Sequence, residues 1–156
     1  MNNKTNLTVL HCIFYLYHVF ALNSDGTLSA NEKKKIGGFM LRWLGQDRDK
    51  MTSIINATLN WSSENIKNIN DQMSSMMSMV EFLKNQNDFT IERREYFLMD
   101  IRNIARSDGK FIDIQKKWHD MLANILGVDI RISNVTHEEI NSELKKVPRR
   151  KIGFRR

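Results

Sequence analysis

A chain of 156 residues with 41% hydrophobic and 27% charged content fits one domain with a sizeable core. The single cysteine, Cys12, excludes an intramolecular disulfide and fits a reducing, cytoplasmic setting. The net charge of +6 is local: residues 145–156, KKVPRRKIGFRR, hold seven basic and no acidic residues, leaving 17 basic against 18 acidic in the body. A neutral body excludes a general polyanion-binding surface, so any nucleic-acid or anionic-lipid partner rests on the tail.

The only proline is Pro148, so nothing before it interrupts a helix, and the apolar spacing is helical throughout. Residues 7–22, LTVLHCIFYLYHVFAL, carry little preceding charge and no small-residue cleavage site. The run is short for a membrane span and includes His11 and His18, so it reads as the first core helix, from about Leu7 to Asn23. Asp25-Gly26 breaks it. Ser29 and Glu32 form a capping box that opens a second helix, whose stripe is Ile36, Phe39, Met40, Trp43 and Leu44 and whose stop is Gly45. Gly37-Gly38 inside that helix costs stability relative to alanine and points to close helix packing.

A third helix is expected from Arg48 to Leu59, with Met51, Ile54, Ile55 and Leu59 inward, and Ser62 or Ser63 caps a fourth. In the fourth, Ile66, Ile69, Met73, Met76, Val80 and Leu83 make a narrow seam. The methionines at 73, 76, 77 and 79 read as core, with an adaptable binding face as the alternative. Thr90 caps a fifth helix built on Phe97, Ile101, Ile104 and Ala105, and Asp108-Gly109 ends it. Asp113 starts a sixth on Ile114, Trp118, Met121, Leu122 and Ile125, which Gly127 stops. Thr136 with Glu139 caps a seventh, to about Lys146, and PRRKIGFRR beyond it reads as a mobile tail. The fold class is therefore all-α, a single compact domain of about seven helices.

The order helix, Asp-Gly, short loop, helix, Leu-Gly occurs twice, offset by 83 residues when Asp108 is set on Asp25. This suggests a pseudo-symmetric duplication of helical hairpins. The stretches Ala21 to Ile36, and Ile104 to Gly127 with IARSDGKF and ILGV, resemble the two halves of the TerB-like domain, named for tellurite resistance. The resemblance covers about residues 7–130, dividing the chain into a TerB-like helical domain, 1–135, and a C-terminal helix with basic tail, 136–156. It implies a seven-helix, non-enzymatic module of bacterial stress-response systems whose acidic Asp-Gly sites are suspected of binding a divalent metal.

The metal residues carried over are Asp25 and Glu32 in the first half and Asp108 in the second, with Asp113 nearby; Gln115 stands where a second Glu would be. A calcium loop needs about six to eight oxygen ligands from about twelve residues. With Gly26 as the loop glycine, Asp25 and Glu32 fall on ligand positions, but Ala21 takes the first and Asn23 the third. A working EF-hand is not expected. The reading without metal has Gly26 and Gly109 supply positive φ, Asp25 and Asp108 bond loop amides, and Glu32 serve its capping box. The alternative is a shared weak Ca²⁺ or Mg²⁺ site.

His11 and His18 read as buried, hydrogen-bonded histidines, and His119 and Asp120, adjacent on a helix, are expected to point apart. No nucleophile stands beside a general base, which argues against an enzyme. Two functions follow: a TerB-like interaction or sensor domain with a protein partner, its surface including the methionine-rich helix, or an electrostatic binder of nucleic acid or anionic membrane. The second would use Arg149, Arg150, Lys151, Arg155 and Arg156 around Ile152 and Phe154, against a plain solubilising tail.

Overall fold

A computed structural model describes residues 6–22, 28–107 and 111–155. They form seven helices, α1 (Val9–Leu22), α2 (Ala30–Trp43), α3 (Arg48–Asn65), α4 (Ile69–Lys84), α5 (Ile91–Ala105), α6 (Asp113–Leu126) and α7 (His137–Lys146). The all-α expectation holds. None of these helices is long and apolar enough to cross a membrane.

The apolar run at the N-terminus is α1, and it is the axis of the fold, packed by α2, α3, α4 and α5. A helix apolar on all sides is stable only when surrounded. Cys12 to Tyr17 and Val19 to Ala21 are accordingly buried. The helix starts at Val9 because Leu7 is extended, in a parallel bridge with Phe154.

Capping placed several boundaries as expected. Ser29 Oγ accepts from the Glu32 amide and the Glu32 carboxylate accepts from the Ser29 amide, the full capping box. Thr90 and Thr136 each accept from the amide three residues on, and Gly45 and Gly127 take positive φ of 63° and 72° at helix ends.

The third helix is longer than expected. It absorbs Ser62 and Ser63 and runs to Asn65, because Asn68, whose side chain accepts from the Asp71 amide at 2.8 Å, is the better-placed cap for α4. The seam of α4 is correspondingly shorter: Ile66 lies in the connection and Ile69 is 55% exposed. Met76, Met77 and Met79 are buried and Met73 packs against the core, so the methionines fill the interior and offer no binding face. Leu59 and Ile114 also turn outward, and Thr58, Trp61 and Gln115 take the inward positions.

Gly37 and Gly38 do not mark close packing: nothing lies within 4 Å of where either Cβ would sit, and neither has positive φ. Gly38→Ala is therefore expected to stabilise by about 1 kcal/mol, raising Tm by about 3 °C, through lost unfolded-state entropy alone. A thermal melt unchanged or lowered by this substitution would show that the helix needs the glycine.

Ile140 and Leu144 of α7 are part of the same core as α1. The tail beyond is docked, which corrects its reading as mobile. Leu7 N–H donates to Gly153 O and Arg155 N–H to Leu7 O, each at 2.8 Å. The ring of Phe154 stacks on Phe82 of α4 at 4.3 Å between centroids and 7° between planes. A partial apolar stretch, Ile152 and Phe154, thus finds a groove beside α4 that periodicity could not reveal.

Candidate functional site

The predicted metal residues are not brought together by what is described. Asp25 and Asp108 lie outside the described residues, as does Arg156. Glu32 is buried and engaged in its capping box, and Asp113 is the exposed first residue of α6. Among the described residues no group of three or more His, Cys, Asp or Glu side chains is placed to hold a metal ion. Gln115, in the position matching Glu32, is fully buried and donates to Phe20 O at 2.7 Å, an inter-helix tie that needs an amide.

The tail's cations are divided. Arg149 pairs with Glu81, and Arg150 lies 3.8 Å from Asp71 while its carbonyl accepts from Ser78 Oγ at 2.7 Å. Lys151 and Arg155 remain exposed. Arg149 and Arg150 are therefore anchors to α4, and their charge is offset locally.

Two buried polar networks had no clear local signature. In the first, Tyr17 Oη donates to Asp100 Oδ2 at 2.7 Å and accepts from Trp43 Nε1 at 2.9 Å, and Arg42 Nη2 donates to the same carboxylate oxygen at 2.6 Å. Burial, reinforced by the Asp100 charge, pushes the Tyr17 phenol well above its usual range, which keeps it a donor. The arrangement ties α1, α2 and α5 at one point and fixes Arg42, itself half-exposed, over the Phe39 ring.

In the second network, His119 and Asp120 do not point apart: His119 Nδ1 and Asp120 Oδ1 are 3.0 Å apart and both side chains are buried. Arg102 Nη1 sits 2.9 Å from His119 Nε2. A guanidinium only donates, so Nε2 is the acceptor and Nδ1 carries the proton of a neutral ring. Burial holds the His119 pKa below its usual value, opposed by its bond to Asp120 and helped by the Arg102 charge. Asp120 also accepts from the Ile132 and Ser133 amides and from Ser133 Oγ, which bring its pKa below the ordinary value although burial alone would raise it. The network closes the 127–136 connection onto α6, with the His119 and Asp120 side chains buried and Arg102, Ile132 and Ser133 half-buried around them.

His11 accepts from Thr8 N and Thr8 Oγ1 through Nδ1, as a helix-start contact. The buried Nδ1 of His18 has no hydrogen-bond partner, and its ring stacks on Phe14 at 5.7 Å, so it departs from the expected hydrogen-bonded histidine.

The first network lies beside a groove in the surface, which Arg42 and Trp43 help to line. Two adjoining depressions of about 510 and 530 Å³ share Trp43 and Arg93. One is completed by Arg42, Glu92 and Tyr96, the other by Lys50, Asp88 and Arg155, over a floor that includes Ile54 and Phe89. Arg42 comes from α2, Lys50 from α3, Arg93 from α5 and Arg155 from the tail, so four elements contribute one cation each. Tyr96 is 47% exposed, whereas Phe89 is buried against Trp43 and Phe97. Of the described tail residues expected to bind anions, Arg155 alone reaches this groove, and Arg42, Lys50 and Arg93 belong to a body whose neutral total charge conceals them. Comparison with protein-family models, curated proteins and solved structures finds no match for this chain.

Proposed function

We propose that the protein is a non-enzymatic interaction domain that binds an acidic segment of a partner protein in the groove between α2, α3 and α5. The observation that carries this reading is the convergence of Lys50, Arg93 and Arg155, with Arg42 held beside them by Asp100, in a groove walled by Trp43 and Tyr96. An acidic side chain entering there meets these cations, and apolar side chains between the acidic ones meet the half-buried Trp43 and the exposed ring of Tyr96. The reading agrees with a TerB-like module of a bacterial stress-response system, the class that the Asp-Gly hairpins resemble. It gives two buried carboxylates structural work: Asp100 holds Arg42 directly and Trp43 through Tyr17, and Asp120 closes a loop.

A nucleic acid fits the groove less well. Asp88 and Glu92 would face a continuous run of phosphates, and of the aromatic rings in the groove Tyr96 is the one with a widely exposed face for stacking. A peptide can place neutral residues opposite those carboxylates.

The test is fluorescence anisotropy with a labelled peptide rich in Glu, Asp, Leu and Trp, its Gln/Asn counterpart, and a single-stranded oligodeoxynucleotide. The acidic peptide is expected to bind in preference to both, with affinity falling as salt rises, and Arg93→Gln and Lys50→Gln each to weaken it by up to about fivefold, the range for an exposed charge contact. Equal binding of acidic and neutral peptides would sink the proposal. Preferential retention of the oligonucleotide would replace it with the nucleic-acid reading.

A further inference from the structure

We infer that the C-terminal tail is a docked arm that completes the acidic-peptide groove with Arg155, and not a free polycation. The inference rests on the proposed groove and names the part of it that the tail supplies. Residues 149, 150, 153 and 154 serve attachment, and Lys151 is exposed. Arg149 and Arg150 face Glu81 and Asp71 on α4, and the Arg150 carbonyl accepts from Ser78. Gly153 O and the Arg155 amide bracket Leu7 with two backbone bonds. Gly153 passes so close to Asn6 that a Cβ would come within 2.5 Å of its Oδ1.

The register of this bracket decides where the charges go. Successive side chains of an extended segment alternate in direction. Phe154 turns onto Phe82, so Arg155 turns the other way, onto the wall of the groove that also carries His11, Lys50 and Arg93. Shifting the register by one residue would carry the charge onto α4 and the ring into solvent. The tail therefore contributes by position, which a count of its positive charges does not capture.

This separates two models that deletion of the tail would not. A free polycation binds through total charge, so loosening its anchor leaves affinity unchanged or raises it by releasing Arg149 and Arg150 from their acidic partners. A docked arm binds through one placed cation, so loosening the anchor costs what removing that cation costs. The variant Phe82→Ala/Phe154→Ala removes the stacked pair and keeps every charge. Binding of the acidic peptide is measured for it, for Arg155→Gln and for Arg93→Gln, with amide hydrogen exchange at Leu7 and Arg155 reporting the loosened bracket.

The expected result is that the double alanine variant and Arg155→Gln weaken binding alike, each by up to about fivefold. Unchanged or tighter binding by the double variant would overturn the inference, as would an Arg155→Gln protein that binds like the wild type. If Arg93→Gln weakens binding while both tail variants do not, the groove stands and only the role of the arm falls. If the wild-type protein does not bind the peptide, the groove reading itself has failed.

Discussion

Asp120→Ala is expected to destabilise the protein by about 4 kcal/mol. The carboxylate accepts from the Ile132 amide at 2.9 Å, the Ser133 amide at 2.8 Å, Ser133 Oγ at 2.5 Å and His119 Nδ1 at 3.0 Å. Alanine strands the buried His119 Nδ1–H, which costs about 1–3 kcal/mol, and releases three half-buried donors of Ile132 and Ser133 that together make up the rest. Asp120→Asn keeps the shape but turns an NH₂ toward one pair of donors, so it is expected to recover less than half of the loss. Urea unfolding with an unchanged slope is the measurement. A midpoint within about 1 kcal/mol of wild type for the alanine variant would mean that the 127–136 connection is held by other contacts.

The same network sets an acid limit. Burial lowers the pKa of His119, and also of His18 and His11, the last with help from Arg155. A histidine with a depressed folded-state pKa binds its proton more readily when unfolded, so its contribution is complete above the unfolded value and is lost as pH falls below it. Stability should therefore drop between about pH 7 and pH 5, where the unfolded histidines begin to charge. The depressed Asp120 contributes above the ordinary aspartate value and loses its share only as pH falls further, through its own folded value. A urea midpoint that stays flat over the histidine window would contradict the neutral assignment of the His119 ring.

What was legible in the sequence follows from what is local. Caps, glycine stops and inward stripes depend on neighbours three or four residues away, so Ser29, Thr90, Gly45, Gly127 and the Phe97 face were readable. Errors came where two local solutions competed: Ser62 and Asn68 both offer a cap, and the longer α3 won because it buries Trp61 against Tyr15. The groove was not legible at all. Its cations stand at positions 42, 50, 93 and 155, each ordinary in its own segment, and only packing of α2, α3 and α5 with the docked tail gathers them. The tail drew attention as a run of charge, yet the residue that places it is Phe154. Adjacent His119 and Asp120 misled for a related reason: backbone positions on a helix diverge, but a ring nitrogen and a carboxylate can still curl together when both are excluded from water.

Arg94→Ala is expected to cost about 3 kcal/mol, because one guanidinium ties the ends of α4 and α6 to the loop before α5. Its Nε donates to Phe89 O at 2.9 Å, Nη1 to Leu126 O at 2.8 Å and Nη2 to Lys84 O at 2.9 Å. Lys84 and Leu126 are the last residues of α4 and α6, where carbonyls lack intrahelical partners and the helix dipole favours a cation. Water can replace part of this at the more exposed Lys84 carbonyl, which keeps the cost below that of Asp120. An ammonium cannot span the three acceptors, so Arg94→Lys should restore less than half of the lost stability. Full recovery by lysine would show that charge alone suffices and that the planar fork is dispensable. The effect should extend to binding, because the segment Arg94 holds carries Asp88, Phe89, Thr90 and Arg93 into the groove. Arg94→Lys, assayed at a temperature where it is folded, is then expected to weaken the acidic peptide although Arg94 is not among the residues lining the groove, since misplacing a rim cation is equivalent to losing it.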